Sequence, residues 1–63
     1  MCLSTVFAVV NGNENKIKEY VCNIAIDGKN ITLTDIMGEE TKVVGTLKSM
    51  DFVKNLAIID SEE

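Results

Sequence analysis

Cys2 places a thiol beside the amine of Met1, and this pairing is the arrangement in the sequence best suited to chemistry. With Met1 retained, the Met1 amine and the Cys2 amide nitrogen span one chelate ring. The same amide nitrogen and the Cys2 thiolate span a second, a planar N,N,S set once the amide has lost its proton. With Met1 removed, the Cys2 amine and thiolate form one ring and the Leu3 amide extends it. Tetragonal, nitrogen-rich sites of this kind suit Ni(II) and Cu(II), whereas Zn(II) favours four tetrahedral side-chain ligands that the chain does not offer. The competing reading is an idle cysteine on a frayed terminus. The residue types alone leave both open, with Cys2, Met1 and Leu3 as the candidate metal ligands.

No other residue set approaches catalysis. The chain has no His, which removes the commonest general base and the commonest transition-metal side chain together. Neither a Ser-His nor a Cys-His pair can form, and no lysine lies in an obviously apolar stretch that would depress its pKa. Glycines at 12, 28, 38 and 45 are scattered, so there is no phosphate-cradling loop. Glu39 and Glu40 read as a solvated turn rather than an acid pair. Cys22 alternates with Ile24 and Ile26, which predicts a small, buried core residue. The chain is expected not to be an enzyme.

Charge narrows the partners. The net charge is −4, from ten acidic residues against six lysines, with no Arg. Nucleic-acid binders draw most of their affinity from phosphate neutralisation by Lys and Arg, so an acidic chain is poorly equipped for that. No apolar run approaches the roughly 20 residues that cross a bilayer, and the start does not read as a signal peptide. The expectation is a soluble, cytoplasmic protein whose two cysteines stay reduced.

The elements that must position the N-terminus are read as strands. Sixty-three residues allow a single domain, 1–63, with a thin core that calls for support from a metal or a second subunit. Cys2 to Val10 is rich in Val, Phe and Thr and stops at the turn signal Asn11-Gly12-Asn13. Lys16 to Tyr20 is polar, a loop or an exposed strand start, with one helical turn around Glu14 to Tyr20 as the alternative. From Tyr20 the period is two, which predicts Tyr20, Cys22, Ile24 and Ile26 on one inward face.

Asp27-Gly28-Lys29-Asn30 makes a hairpin turn, Ile31 to Ile36 returns, and Gly38-Glu39-Glu40 turns again into Thr41 to Lys48. Gly45 inside that strand predicts a bend that lets a small sheet close on itself. Met50 to Lys54 connects to a last strand, Asn55 to Ile59, and the acidic end is expected to fray. The fold class is all-β, a small antiparallel barrel of five to six strands, with Phe7, Val9, Ile24, Ile26, Leu33 and Ile58 among the expected core residues. Both alternation faces of the first strand are apolar, and the surplus predicts a homodimer.

Three segments together resemble one family. They are Met1-Cys2-Leu3-Ser4-Thr5-Val6, then Asp35-Ile36-Met37-Gly38-Glu39-Glu40, then Val44-Gly45 with Asp51-Phe52 and Asn55-Leu56-Ala57-Ile58-Ile59. In this order and spacing the chain is similar to the CooT family, small nickel-binding accessory proteins linked to maturation of carbon monoxide dehydrogenase. The resemblance implies an SH3-like barrel, a homodimer, and Ni(II) bound through the cysteine at position two. Only Cys2 matches the nickel ligand, and Cys22 does not belong to the pattern. It also implies a client nickel enzyme or its maturation machinery as partner. Family members are labelled predicted RNA-binding proteins as well, so a small β-barrel RNA-binding module is the alternative function. A bare interaction subunit with an idle Cys2 is the third.

Overall fold

The structure is a computed structural model that describes residues 3–62. Its five strands are β1 (Ser4–Val10), β2 (Asn13–Asp27), β3 (Asn30–Asp35), β4 (Glu40–Asp51) and β5 (Leu56–Ser61), and they form a closed barrel in chain order. All consecutive pairs are antiparallel, which leaves β1 and β5 pointing the same way. An odd ring of up-and-down strands can close only through one parallel pair. Here it is β1 with β5, in register from Thr5–Leu56 to Val9–Asp60. The all-β barrel expected from the sequence is what forms, with five strands rather than six. No helical turn interrupts Glu14 to Tyr20, which lies within β2.

Local chemistry fixes the turns. Asn11 and Gly12 both carry positive φ, 52° and 80°, as a two-residue type I′ hairpin between β1 and β2 requires. Two long strands each serve two neighbours. β2 pairs with β1 through its first half and with β3 through its second, bending where Tyr20 takes φ 58° and the register shifts between Val21 and Asn23. β4 pairs with β3 up to Val44 and with β5 from Gly45 onward. A Cβ at Gly45 would run into the Asp60 carbonyl oxygen and lie 3.1 Å from the Ser61 Cα, so only glycine lets β4 pass this close to β5. The bend expected at Gly45 is therefore a crossing point. It is pinned by Gly45 N–H to the Lys29 carbonyl at 2.9 Å and by Glu62 N–H to the Val44 carbonyl at 3.1 Å. That second bond, with a Glu62–Lys29 ion pair of 2.7 Å, holds the acidic tail through Glu62 where fraying was expected.

The core is smaller than the sequence suggested. Val6, Val21, Ile31, Leu33, Ala57 and Ile59 form it, with Ile17, Ile24, Val43, Leu47 and Met50 packed around. Leu33 is where it was expected and Ile24 flanks the core, but Phe7, Val9 and Ile58 are only half-buried and Ile26 is 53% exposed. The reason is volume. A narrow five-stranded ring converges its inward side chains, so β1 turns Ser4, Val6 and Ala8 inside and leaves the phenyl ring of Phe7 on the outer face. Both phases of β1 are apolar, so alternation alone did not choose between them. Cys22 is exposed rather than buried, because the β2 bend sends Val21 inward in its place.

Candidate functional site

The N-terminal end of β1 is where the candidate ligands converge in sequence. Cys2 and Met1 lie outside the described residues, and Leu3 is half-buried at the entrance to β1. Ser4 pairs with Val21 across β1 and β2, and the Thr5 N–H donates to the Asn55 carbonyl at 2.9 Å. The β2 bend and the β4–β5 loop therefore flank the start of β1. Between them lies a small cavity of about 200 Å³, lined by Ser4, Val21, Cys22, Asn23, Ile24, Met50, Phe52 and Asn55.

This end is apolar at its rim. Met37 is 86% exposed, Phe52 79% and Val53 93%, with Tyr20 and Ile36 also solvent-facing. The Ile36 N–H donates to the Tyr20 carbonyl at 3.1 Å, which ties the β3–β4 turn to the β2 bend. Asp51 shapes the other loop by accepting from the Val53 and Lys54 N–H groups on Oδ1 at 2.9 and 3.0 Å. A larger groove of about 360 Å³ lies elsewhere, among β2, β3 and β4 around Ile26, Ile31 and Val43, and no thiol lines it.

The motif Asp35 to Glu40 proves to be scaffolding. Asp35 Oδ1 accepts from the Met37 N–H at 2.9 Å and the Glu39 N–H at 3.0 Å, and the Gly38 N–H donates to the Asp35 carbonyl at 3.0 Å. Gly38 takes φ 83°, the left-handed geometry that closes this Asx turn. Lys18 completes it from β2. Its side chain is 7% exposed, and its ammonium reaches Thr41 Oγ1 at 2.9 Å, Asp35 Oδ2 at 3.3 Å and Glu39 Oε1 at 3.4 Å. Sequence reading missed Lys18, because a lysine in a polar run looks like any solvated cation. Its partners lie on β3, β4 and the turn between them, so no local signal in the sequence singles it out. Glu39 is thus a partner of Lys18 rather than half of an acid pair.

Burial pushes the Asp35 carboxyl up, but the N–H groups of Glu39 and Met37 and the Lys18 ammonium outweigh it and hold its pKa below the usual 3.8. A depressed carboxylate contributes stability that is fully present above its unfolded pKa and lost as pH falls through the folded one. Thermal unfolding midpoints should therefore decline as pH drops below about 4. Asp35→Asn keeps an acceptor but no charge, so its midpoint should start lower at neutral pH and fall less steeply in acid. Equal acid slopes in the two proteins would show that Asp35 has no part in the acid sensitivity.

Among the described residues, no group of three or more His, Cys, Asp or Glu side chains is placed to hold a metal ion. No helix among them is long and apolar enough to cross a membrane. What the geometry defines is a small closed β-barrel with an apolar-rimmed end around the start of β1. The chain belongs to the CooT family, described as CO dehydrogenase accessory protein CooT, whose model matches residues 1–60. A crystal structure assigned as CooT from Carboxydothermus hydrogenoformans superimposes with a TM-score of 0.86 at 19% identity, covering 98% of this chain and 100% of that one. At that identity the likeness speaks for the fold. Among curated proteins, none matches the chain.

Proposed function

We propose that this protein binds Ni(II) through the Cys2 thiolate and N-terminal backbone nitrogens, those of Met1 and Cys2 with Met1 retained or of Cys2 and Leu3 with Met1 removed, and carries it as cargo toward a nickel enzyme such as CO dehydrogenase. The observation that supports this reading is the Met1-Cys2 start in a chain of the CO dehydrogenase accessory family. The donor set fits the ion. The chain has no His, so thiolate, carboxylate, backbone nitrogen and terminal amine are the donors it offers, and Met1-Cys2 brings an amine, an amide and a thiol together. The protein supplies binding and transfer rather than catalysis, and it works in the cytoplasm, where Cys2 remains a thiol. Titration with Ni(II) tests the proposal by its thiolate-to-nickel absorption.

The proposal includes a homodimer in which Cys2 of a second copy completes the site. Its support has moved from β1, whose outer residues are already half-covered within one chain, to the exposed Tyr20, Ile36, Met37, Phe52 and Val53 around the N-terminal end. Sedimentation at micromolar concentration should give twice the 6.9 kDa of one chain. A mass of one chain, with or without nickel, rejects the dimer.

The charge balance weighs against the alternative of RNA binding: ten acidic residues stand against six lysines with no Arg, and Lys16, Lys18 and Lys29 are each paired with a carboxylate, at 2.9, 3.3 and 2.7 Å.

A further inference from the structure

We propose that Asn11 is a site of covalent self-modification, where the Asn11-Gly12 turn converts to an isoaspartyl linkage that an isoaspartate O-methyltransferase recognises. The chain carries Asn at 11, 13, 15, 23, 30 and 55, and Asn11 alone is followed by glycine. Asparagine is a thermolabile residue, and its following neighbour decides where the lability shows. The reaction brings the backbone nitrogen of that neighbour onto the Asn side chain, and a Cβ there stands in the way. After the other asparagines come Glu14, Lys16, Ile24, Ile31 and Leu56, all with side chains.

The turn leaves the reacting atoms open to water. Asn11 and Gly12 are both exposed, between the end of β1 and the start of β2. Nothing lies within 4 Å of where a Gly12 Cβ would stand, so no neighbour hems in that side of the turn. The hairpin ladder closes on the Val10–Asn13 pair. Among the described residues no hydrogen bond uses the Gly12 N–H, which can therefore give up its proton to hydroxide. The other asparagines are held differently. Asn13, Asn15, Asn23 and Asn30 lie within strands, and the Asn55 carbonyl accepts from the Thr5 N–H.

The deprotonated Gly12 nitrogen attacks the Asn11 Cγ. A new C–N bond forms, the bond from Cγ to the side-chain nitrogen breaks, and ammonia leaves with a proton from water, which returns the hydroxide. A five-membered succinimide remains, and water opens one of its two carbonyls. Opening at Cγ leaves an ordinary aspartyl peptide. Opening at the α-carbonyl carries the chain through Cγ and leaves the α-carboxylate free. One water is consumed and one ammonia released, with no oxidant or reductant. The methyltransferase then moves the methyl group of S-adenosylmethionine onto that carboxylate, giving a methyl ester and S-adenosylhomocysteine. The length of β1, about 20 Å, separates this turn from the N-terminal end, so the inference stands apart from the nickel reading.

Intact protein held in warm, neutral buffer should release ammonia and gain the mass difference between a hydroxyl and an amino group. Peptide mapping should place the change at Asn11, and alkaline buffer should speed it. Isoaspartate O-methyltransferase with labelled S-adenosylmethionine should load the aged protein and leave freshly purified protein nearly unlabelled. Asn11→Gly keeps a Gly-Gly pair that suits the same tight turn, so it should fold as the parent does and take up no label on ageing. A blocked Val-Asn-Gly-Asn peptide sets the pace of the unrestrained reaction. Protein still unmodified at Asn11 once that peptide has converted overturns the proposal. So does aspartate as the sole product, or equal label in aged Asn11→Gly and aged parent.

Discussion

Leu33→Ala is expected to remove most of the barrel's stability, leaving a sizeable fraction of molecules unfolded at room temperature. Leu33 is fully buried near the middle of β3, inside a core of only six buried residues. Truncating a buried leucine costs about 2–5 kcal/mol, partly from lost transfer energy and partly from the cavity left behind. Small domains sit near the low end of the usual range, roughly 5 kcal/mol in all. A ring this narrow has few side chains that can shift into the gap, so the upper part of the cost applies. Urea unfolding followed by circular dichroism measures it, with Lys48→Ala as the control. That side chain is exposed on β4 and belongs to no proposed interface, so its loss should move the midpoint little. A Leu33→Ala protein as stable as the control would mean that the barrel is held by something other than this core.

Cys2→Ser should abolish the thiolate-to-nickel absorption that the parent develops on titration with Ni(II). A serine hydroxyl in place of the thiol removes the soft donor, and no side-chain cluster among the described residues can replace it. In the parent, affinity should rise with pH and binding should release protons, because both the thiol and an amide must deprotonate before the ion is held. Mass spectrometry of the metal-free protein establishes whether Met1 is present, and so which of the two chelate patterns forms. A Cys2→Ser protein that binds nickel as tightly as the parent would return Cys2 to the role of an idle terminal residue.

Strand content and turns could be read from residue types because their causes are local. Asn11-Gly12 demands a tight hairpin, Asp27-Gly28 another, and Gly45 marks the crossing of β4 onto β5. The inward phase could not be read so directly. In β1 both phases are apolar, and the larger side chains were the natural choice for a core; the ring's small bore selects Val6 and Ala8 instead of Phe7 and Val9. In β2 a period of two was extended through Tyr20 and Cys22, but the bend there shifts register and exchanges Cys22 for Val21. Such a shift depends on contacts with two neighbouring strands, which no single segment records. The Met1-Cys2 pair offers a candidate chelate by its spacing and lies outside the described residues. The role of Lys18 was not legible, since its partners come from β3, β4 and the turn between them.

The parallel β1–β5 pair has a practical consequence for anyone attaching a label or a fused domain. The chain enters the ring beside Asn55 and leaves it beside Val44, and the six residues of β5 separate those ends by about 20 Å. A reporter fused after the last strand therefore projects away from the end where the chain begins. An affinity handle added before Met1 would instead turn the terminal amine into an amide. The choice of labelling end thus bears directly on the proposed nickel site, and the odd number of strands in the ring sets the two ends apart.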